Sequence, residues 1–455
     1  MFLVLLVWAP LPLASNRSWA LGLLSMWVWL LLLASIYSHL RSGRSVLSEL
    51  KQVKWPLMCL GGFAMLVTVQ LVSAALGGAD DGNTWPIIEI VTLDPFNTRE
   101  YLLATLCYLG AFVLVQLILR NESDVLWVLV TLVFSGVLQS LIAILLFASK
   151  AEYKYFFMQF TQGERVSGTF ANWDHLAGYL EMCLSLGIGL MLSHSSGSAV
   201  GRSSLRDRVV AALKFSLSVK MLVRLMLIVM VIALVLTHSR MGNAAFFISL
   251  LLVGTCGMFA NKKIRKSAFW LVLSLIVVDV LIVGQWIGVE RVVQRIQGTA
   301  LSAENARGEE TLEQRMLPAR QSLPALMERP WLGFGGATFY TVFPRFKQQN
   351  LPPYYDHAHN DYIEIAMDTG FSGLSMLAML VLLTLWRLRI FWSATQPRLN
   401  RGVAFGVSMA ILCELIHSFV DFNFQIPANA LTFTVVIALV WVLNPSYSRF
   451  NASIT

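Results

Sequence analysis

Charged residues are scarce in this chain of 455 residues: Asp, Glu, Lys and Arg make up 13% of it, against 56% hydrophobic residues. A soluble domain carries about 25% charged residues, so the composition excludes an ordinary soluble protein. Cysteine is also scarce, and the five cysteines fall inside apolar runs without the spacing of a metal site. They are expected to be small buried hydrophobic residues.

Long apolar runs dominate the sequence instead. Runs of roughly 20 apolar residues recur from end to end, each long enough to cross a hydrocarbon core of ~30 Å. Because lipid offers the backbone no hydrogen-bond partners, such runs form helices. The sequence therefore predicts an all-α integral membrane protein with about 12 transmembrane helices. The predicted spans are 2–14, 19–38, 55–77, 101–119, 125–148, 174–193, 221–238, 243–260, 266–287, 369–390, 402–421 and 429–445.

The first span, 2–14, is short. It lacks a basic segment and a clear small-residue cleavage site, so we interpret it as a retained helix rather than a signal peptide.

Basic residues indicate the orientation of the bundle. Lys and Arg concentrate in alternate loops and in the tail, and cytoplasmic loops are those that carry an excess of them. The sequence thus places both termini in the cytoplasm. The net charge of +8 is an orientation signal and requires no nucleic-acid partner. The basic loops are 39–54, 120–124, 194–224, 261–266 and 387–401.

Four unusually polar segments all fall on the opposite, non-cytoplasmic face under this topology. They are GERVSGTFANWDHLAGYLEM (163–182), THSRMGN (237–243), the long segment 288–368, and HSFVDFNFQIPANA (417–430). Independent structural loops would scatter over both faces, so the coincidence indicates a shared functional site.

Each polar residue in these segments also has a purely structural interpretation. Asn172 and His175 could cap and anchor a helix at the interface, or they could have a chemical role. Arg240 could extend to lipid headgroups, or it could bind a substrate anion.

The large loop contains an expected amphipathic helix, 311–328, with Arg315 and Arg320 on it. A solvated face would explain Arg320. The glycine-rich stretch WLGFGGATF lacks the lysine and spacing of a P-loop, so it does not indicate nucleotide binding. Its aromatic neighbours are expected at the membrane interface: Trp331, Phe334 and Phe339.

Two histidines stand together in DHAHNDYIEIAMDTGFSGL (356–374), at the border of an apolar run. His357 and His359, flanked by Asp356 and Asp361, could bind a metal, although no third ligand has convincing spacing. They could be a surface pair without a chemical role. They could also supply a general base, because imidazole titrates near neutral pH and a neighbouring carboxylate can orient it.

The combination of arginines and a histidine suits one kind of reaction. Guanidinium groups bind phosphate oxygens bidentately and keep their charge, and a phosphate reached from within the bilayer suggests a lipid-linked diphosphate. Its displacement needs stabilisation of the leaving-group charge and a base for the attacking hydroxyl. Arg240 and Arg315 could supply the first and His359 the second. Because no Asp-x-Asp pair stands where a metal would be expected, the residues favour metal-independent glycosyl transfer.

These motifs resemble the O-antigen ligase and polysaccharide polymerase superfamily of bacterial envelopes, over about residues 160 to 430. GTFANWDHLAGYLEM is similar to its Gly-x-Phe-x-Asn-x-x-His-x-Ala segment, and THSRMGN to its Ser-Arg-Gly turn, with Met241 where glycine is common. RPWLGFGGATF, AHNDYIEIAMDTGFSGL and HSFVDFNFQIPANA are similar to three later signatures, in the same order.

The resemblance implies a GT-C-like bundle with one large periplasmic loop, and an inverting transfer of glycan from undecaprenyl diphosphate. It implies that Arg240 and Arg315 engage the diphosphate and that His359 is the base. Further expected substrate-binding residues are Asn172, His175, His357, Asn360, Arg320 and Asp421. The acceptor would be lipid A-core or a second lipid-linked glycan, and no cofactor or metal is expected.

The expected organisation is N-terminal helices over 1–160, a catalytic core over 161–430 with the large loop 288–368, and a last-helix end and cytoplasmic tail over 431–455. The expected location is the bacterial inner membrane, with the site facing the periplasm. The resemblance leaves ligase and polymerase open, with the motifs leaning slightly to polymerase. A glycolipid transporter or flippase is the main alternative, with Asp279, Glu414 and Glu181 as its midspan polar residues, and a scaffold is a third.

Overall fold

The computed structural model describes residues 1–76, 91–149, 152–155, 158–161, 165–193, 219–260, 312–348, 355–393 and 395–443. Within these ranges the chain is helical apart from one antiparallel hairpin, in which β1 (Glu152–Tyr155) pairs with β2 (Met158–Thr161). The helices are α1 (Phe2–Trp8), α2 (Ser18–Arg41), α3 (Val46–Leu50), α4 (Lys54–Leu76), α5 (Pro95–Ile118), α6 (Glu122–Ser149), α7 (Trp173–Ser193), α8 (Val219–Leu236), α9 (Arg240–Ala260), α10 (Leu312–Gln321), α11 (Leu323–Glu328), α12 (Phe339–Val342), α13 (Asp361–Phe391), α14 (Arg398–His417) and α15 (Pro427–Val442). Short 3-10 helices occupy Leu13–Ser15, Lys51–Val53, Phe343–Arg345 and Asn423–Gln425.

The expected membrane character is confirmed. Eight helices in the described ranges are long and apolar enough to cross a membrane, and Met221–Leu236 and Pro427–Val442 are shorter apolar helices. The predicted span 266–287 lies outside the described residues, so the count of 12 stays a prediction.

The expectation for span 2–14 is corrected, because it is not one continuous helix. Helix α1 has seven residues, about 10 Å at 1.5 Å per residue, which is too short to cross a bilayer. Pro10 and Pro12 follow it, and proline cannot donate a backbone hydrogen bond. The chain turns there into the 3-10 helix at Leu13–Ser15.

Helix α7 is the central helix of the bundle, and its apolar stretch is entirely buried. It packs antiparallel to α14 at very short range, since a Cβ added to Gly189 would lie 2.3 Å from the carbonyl oxygen of Gly402. Small residues permit this approach of two backbones. The antiparallel packing brings the N-terminus of α7 and the C-terminus of α14 to the same end of the bundle.

Helix α13 is kinked at Gly370, which has φ +66° and ψ −178°. A Cβ there would lie 2.2 Å from the backbone of Trp331, so glycine is required both for the left-handed φ and for the close approach. The kink separates 361–369 from 371–391. The second part is about 31 Å long, which matches the hydrocarbon core and the predicted span 369–390.

The glycine-rich segment (330–338) packs against this kink. Its backbone follows that of α13, with the amide of Phe334 donating to the carbonyl of Met367 at 2.8 Å. The buried Asp368 carboxylate accepts hydrogen bonds from the amides of Ala337 and Thr338 at 2.9 and 3.0 Å. The glycines of this segment therefore allow its backbone to pack closely against other parts of the same chain.

The expectation for the aromatic residues of this segment is partly wrong. Phe334 and Phe339 are 1% exposed and form a small core with residues of α11 and α13, whereas Trp331 is 70% exposed. Their burial follows from the docking on α13.

The single helix expected over 311–328 is also corrected, because the structure has two helices, α10 and α11, which meet at Ser322. Pro324 cannot donate to the carbonyl four residues before it, which ends the first helix near Arg320.

Candidate active site

Four helix ends meet at one end of the bundle: the N-termini of α7, α9, α13 and α15. Asn172 caps α7, since its Oδ1 accepts a hydrogen bond from the amide of Asp174 at 2.9 Å. Asn360 caps α13 in the same way at Ile363, at 3.0 Å. Helix N-termini carry a partial positive charge that favours anions.

Direct contacts join the predicted polar segments at this end. The amide of Asp361 donates to the carbonyls of Ser418 and Asp421, at 3.0 and 3.1 Å. The side chain of Asn429 donates to the carbonyl of His175 at 3.0 Å. Segments that are up to 254 residues apart in the sequence therefore form one site.

Arg315 enters the site from α10 and forms an ion pair with Asp174 on α7. The Asp174 side chain is 2% exposed and that of Arg315 is 19% exposed. The pair connects the large loop to the central helix and leaves part of the guanidinium accessible.

Asp421 is fully buried at the centre of three histidines. Its Oδ1 lies 3.6 Å from Nε2 of His175 and 3.9 Å from Nδ1 of His359, and its Oδ2 lies 3.7 Å from Nε2 of His417. Burial alone would raise the pKa of the Asp421 carboxyl, but the contact with His175 and the nearby His417 and Arg315 hold that pKa well below its usual range. Asp421 is therefore an anion that can orient a histidine ring.

Phe422 lies between three imidazole rings. The ring of His357 stacks on it with centroids 4.0 Å apart and 19° between the planes. His175 and His359 contact it edge-on, at 4.5 and 5.0 Å. This one aromatic side chain therefore sets the spacing of all three histidines.

His357 is held by Glu364, one turn into α13. Its Nδ1 lies 2.6 Å from Oε1 of Glu364, and the amide of Ala358 donates to Oε2 at 2.8 Å. Burial alone would lower the pKa of His357, but the adjacent Glu364 carboxylate outweighs it and raises that pKa above its ordinary value. A ring that favours its protonated form is a better donor than base.

His359 has a strained backbone, with φ +49°. A residue other than glycine rarely adopts this left-handed conformation, and such residues persist where the surrounding structure fixes them. Here the backbone amide of Ala358 is hydrogen-bonded on one side, and on the other the side-chain Nδ2 of Asn360 donates to the carbonyl of Phe419 at 2.9 Å. Its side chain is 18% exposed, so a substrate can reach the ring.

The other predicted arginines lie at the edge of this arrangement. Arg240 is exposed on the first turn of α9, which packs on α7: a Cβ on Gly242 would lie 2.9 Å from Oε1 of Glu181. Arg320 is exposed at the end of α10, and within the described ranges no hydrogen bond or ion pair joins it to the histidines.

Several residues of the site were not among those predicted, namely Asp174, Glu181, Glu364, His417 and Phe422. His417 and Phe422 lie in a motif that the sequence singled out, and the spacing of His417 four residues before Asp421 was an available signal. Asp174, Glu181 and Glu364 also lie in segments that the sequence singled out, 163–182 and 356–374, but their contacts become visible only when the helices pack together. We define the polar cluster as Asp174, His175, Arg315, His359, His417 and Asp421.

Three side chains of the polar cluster could hold a cation. Single ligand atoms of Asp174, His417 and Asp421 lie within 4.8 Å of one another. Arg315 already brings positive charge to Asp174, so one of these carboxylates is paired by the protein's own side chain.

A cavity of about 870 Å³ adjoins the site between α5, α13 and α15. Its walls are mostly apolar, with Tyr108, Leu377 and Phe433 among them, and His357 and Glu364 line its polar end. Ligand pockets commonly have this volume and this apolar lining with a few polar groups.

The fold and site together define a multi-pass membrane protein with a buried, enzyme-like cluster of histidines, carboxylates and an arginine at one end of its helices. Residues 225–378 match the family described as O-Antigen ligase. This match confirms the O-antigen ligase and polysaccharide polymerase superfamily, and with it a ligase- or polymerase-type enzyme acting on lipid-linked glycans in general. Arg240, Arg315, His357 and His359 lie inside the matched region, and Asp421 lies beyond it. No curated protein matches the chain significantly.

Proposed function

We propose that the protein is a metal-independent, inverting glycosyltransferase. It moves an oligosaccharide or polysaccharide from undecaprenyl diphosphate to a glycan acceptor at the periplasmic face of a bacterial inner membrane. The observation that carries the proposal is the meeting of Arg315 with the pair of His359 and Asp421 in one polar cluster.

The proposed reaction uses two kinds of group, a general base for the acceptor hydroxyl and cations that stabilise the departing diphosphate. His359 takes the proton of the attacking acceptor hydroxyl while Asp421 stabilises the imidazolium that forms. The new glycosidic bond forms as the bond between the anomeric carbon and the diphosphate breaks. Arg315 and Arg240 bind the departing diphosphate, aided by helix N-termini.

His357 and the cavity suit the remaining parts of the substrates. Its raised pKa makes His357 a hydrogen-bond donor to an acceptor oxygen, with His175, Asn172, Asn360 and Arg320 as further predicted contacts. The apolar walls of the adjoining cavity would receive part of a lipid chain.

The transporter alternative rests on polar residues within the spans. Asp279 lies outside the described residues. Glu181 is 2.9 Å from His417, and therefore belongs with the polar cluster rather than with an isolated midspan site. Glu414 is buried within α14. A buried acid within a membrane span is the kind of residue that a transporter would use, and this observation favours the alternative.

The test is transfer by the purified protein from a lipid-linked donor to an acceptor glycan. We expect transfer in the presence of EDTA, and loss of transfer in His359→Ala. Strict dependence on Mg²⁺ or Mn²⁺ would contradict the metal-independent mechanism. If His359→Ala kept full activity while changes at Glu181 and Glu414 abolished function, the transporter would replace the enzyme.

The glycan profile of a deletion strain separates the two reactions. Loss of long chains with one repeat still on the core indicates a polymerase. Glycan left entirely on its carrier lipid indicates a ligase.

A further inference from the structure

His417 is fully buried at the end of α14 between two carboxylates. Its Nδ1 lies 2.9 Å from Oε1 of Glu181, and its Nε2 lies 3.7 Å from Oδ2 of Asp421. All three side chains are 0% exposed. The proposed function does not use His417, so its position requires another explanation.

The two facing carboxylates determine the protonation of the ring. A neutral imidazole has one donor and one acceptor, so it would turn a lone pair toward one of the carboxylates, whereas imidazolium donates from both nitrogens. Within the described residues neither ring nitrogen has another hydrogen-bond partner. Two buried carboxylates on opposite sides of one ring favour a cation between them, so a charged His417 fits this arrangement.

Asp421 connects His417 to His359. One carboxylate oxygen of Asp421 faces His417, and the other faces His359 and His175. The four side chains Glu181, His417, Asp421 and His359 therefore form a continuous series from the interior of the bundle to the accessible edge of the site.

We propose that His417 is a positioning residue for the transfer reaction, which holds Asp421 ionised and directed at His359, and that Glu181 holds His417 in turn. This inference rests on the proposed function, in which His359 is the base. Further charged groups around the series are Asp174 on α7, Glu414 on α14, Asp361 on α13 and Arg315 on α10.

The side chains of the series lie within ion-pair distance of one another, but the two ring nitrogens of His417 make no well-aligned hydrogen bond to the carboxylates. Catalytic hydrogen bonds are often long in the absence of substrate and tighten when it binds. A buried ion pair gives little net stability compared with apolar residues, so stability alone does not account for Glu181, His417 and Asp421 at this place.

The experiment compares single and double neutral variants. Each of His417→Gln and Glu181→Gln leaves a buried charge without its partner and is expected to lower thermal stability. The double variant removes both charges and is expected to recover much of that stability. Its kcat should nevertheless stay about 10-fold or more below wild type, with little change in the KM for the lipid-linked donor.

The pH profile of kcat/KM distinguishes positioning from a structural role. Loss of the His417 cation removes what holds Asp421 ionised and directed at His359. His359 then loses part of the carboxylate support for its protonated form, so the acidic limb is expected to move to lower pH in the double variant. Glu181→Asp keeps the charge and should lose less activity than Glu181→Gln. A double variant with wild-type kcat and an unmoved acidic limb would overturn the proposal.

A matched control tests whether the loss of activity is specific to His417 or follows from removing any buried histidine. His39 is a second fully buried histidine, 3.7 Å from Glu49. Leu21, near the other end of α2, lines the cavity beside His357, and about 27 Å of helix separates it from His39. His39→Gln is expected to keep wild-type kcat and pH profile.

His359→Ala is measured in the same assay. If it keeps full activity, the proposed function fails, whatever the His417 variants show. If His417→Gln instead removes a bound divalent ion and EDTA abolishes wild-type transfer, the polar cluster is a cation site and the positioning proposal is wrong.

Discussion

His357 and His359 are separated by one residue, and the fold gives them opposite surroundings. His357 lies 2.6 Å from Glu364 and stacks on Phe422, whereas His359 lies 3.9 Å from Asp421 on a strained backbone. A carboxylate in full contact favours the protonated ring. A carboxylate at longer range can orient the ring while leaving it able to accept a proton. The comparison therefore supports the proposal that His359 is the base and that His357 donates a hydrogen bond.

The largest expected effect comes from removing the base. His359→Ala should lower kcat by about 100- to 10,000-fold, the range of general base catalysis. His357→Ala should lower activity by roughly 10-fold or less, chiefly through the KM for the acceptor, because a donor contact contributes less. Steady-state transfer assays with varied acceptor measure both.

Thermal melting of the two variants is the control for correct folding. If His357→Ala proved the more damaging in kcat while both variants melted like wild type, the assignment of the two rings would be reversed.

The next effect concerns the arginine of the polar cluster. Arg315→Ala should lower kcat about 100-fold, because it removes charge stabilisation of the diphosphate and leaves Asp174 buried without its cation. Arg315→Lys should recover part of the activity, since lysine keeps the charge without the bidentate geometry. Arg345→Ala, at an exposed position of the same loop, should behave as wild type. Equal loss in the Arg315 and Arg345 variants would argue against a specific role.

A smaller effect is expected where the glycine-rich segment docks on α13. Asp368→Asn weakens the hydrogen bonds to the amides of Ala337 and Thr338, each worth about 1.5–3 kcal/mol with a charged acceptor. The variant should melt at a lower temperature and be cleaved faster by protease within 330–338. Its folded fraction should keep a near-normal kcat. A melting curve identical to wild type would show that the docking is held by other contacts.

The sequence predicted the parts of this molecule that depend on local composition. Apolar length located most of the described helices, and clustering of polar segments at one end located the site, because both follow from the exclusion of polar groups from lipid. The structure brings Arg315, His359 and Asp421 into one cluster, and their roles stay predictions.

Features that depend on contacts between distant segments escaped prediction. The kink at Gly370 exists because Trp331 packs against it, and the break between α10 and α11 combines a proline with the docking of the loop. Glu181 appeared to be an isolated midspan acid. Its partner His417 is defined only by the close packing of α7 on α14, which nothing in either segment alone specifies.

The smallest expected effect is a pH dependence of stability at His357. The folded-state pKa of His357 is raised above its ordinary value of 6.5, so its pairing with Glu364 contributes stability that is fully present below pH 6.5. That contribution is lost as the pH rises through the raised pKa. The melting temperature of wild type should therefore fall between pH 6 and 8 relative to that of Glu364→Gln, in which the ring has no carboxylate to favour its charge. Parallel curves for the two proteins would mean that His357 is not preferentially protonated, and the contrast with His359 would then rest on geometry alone.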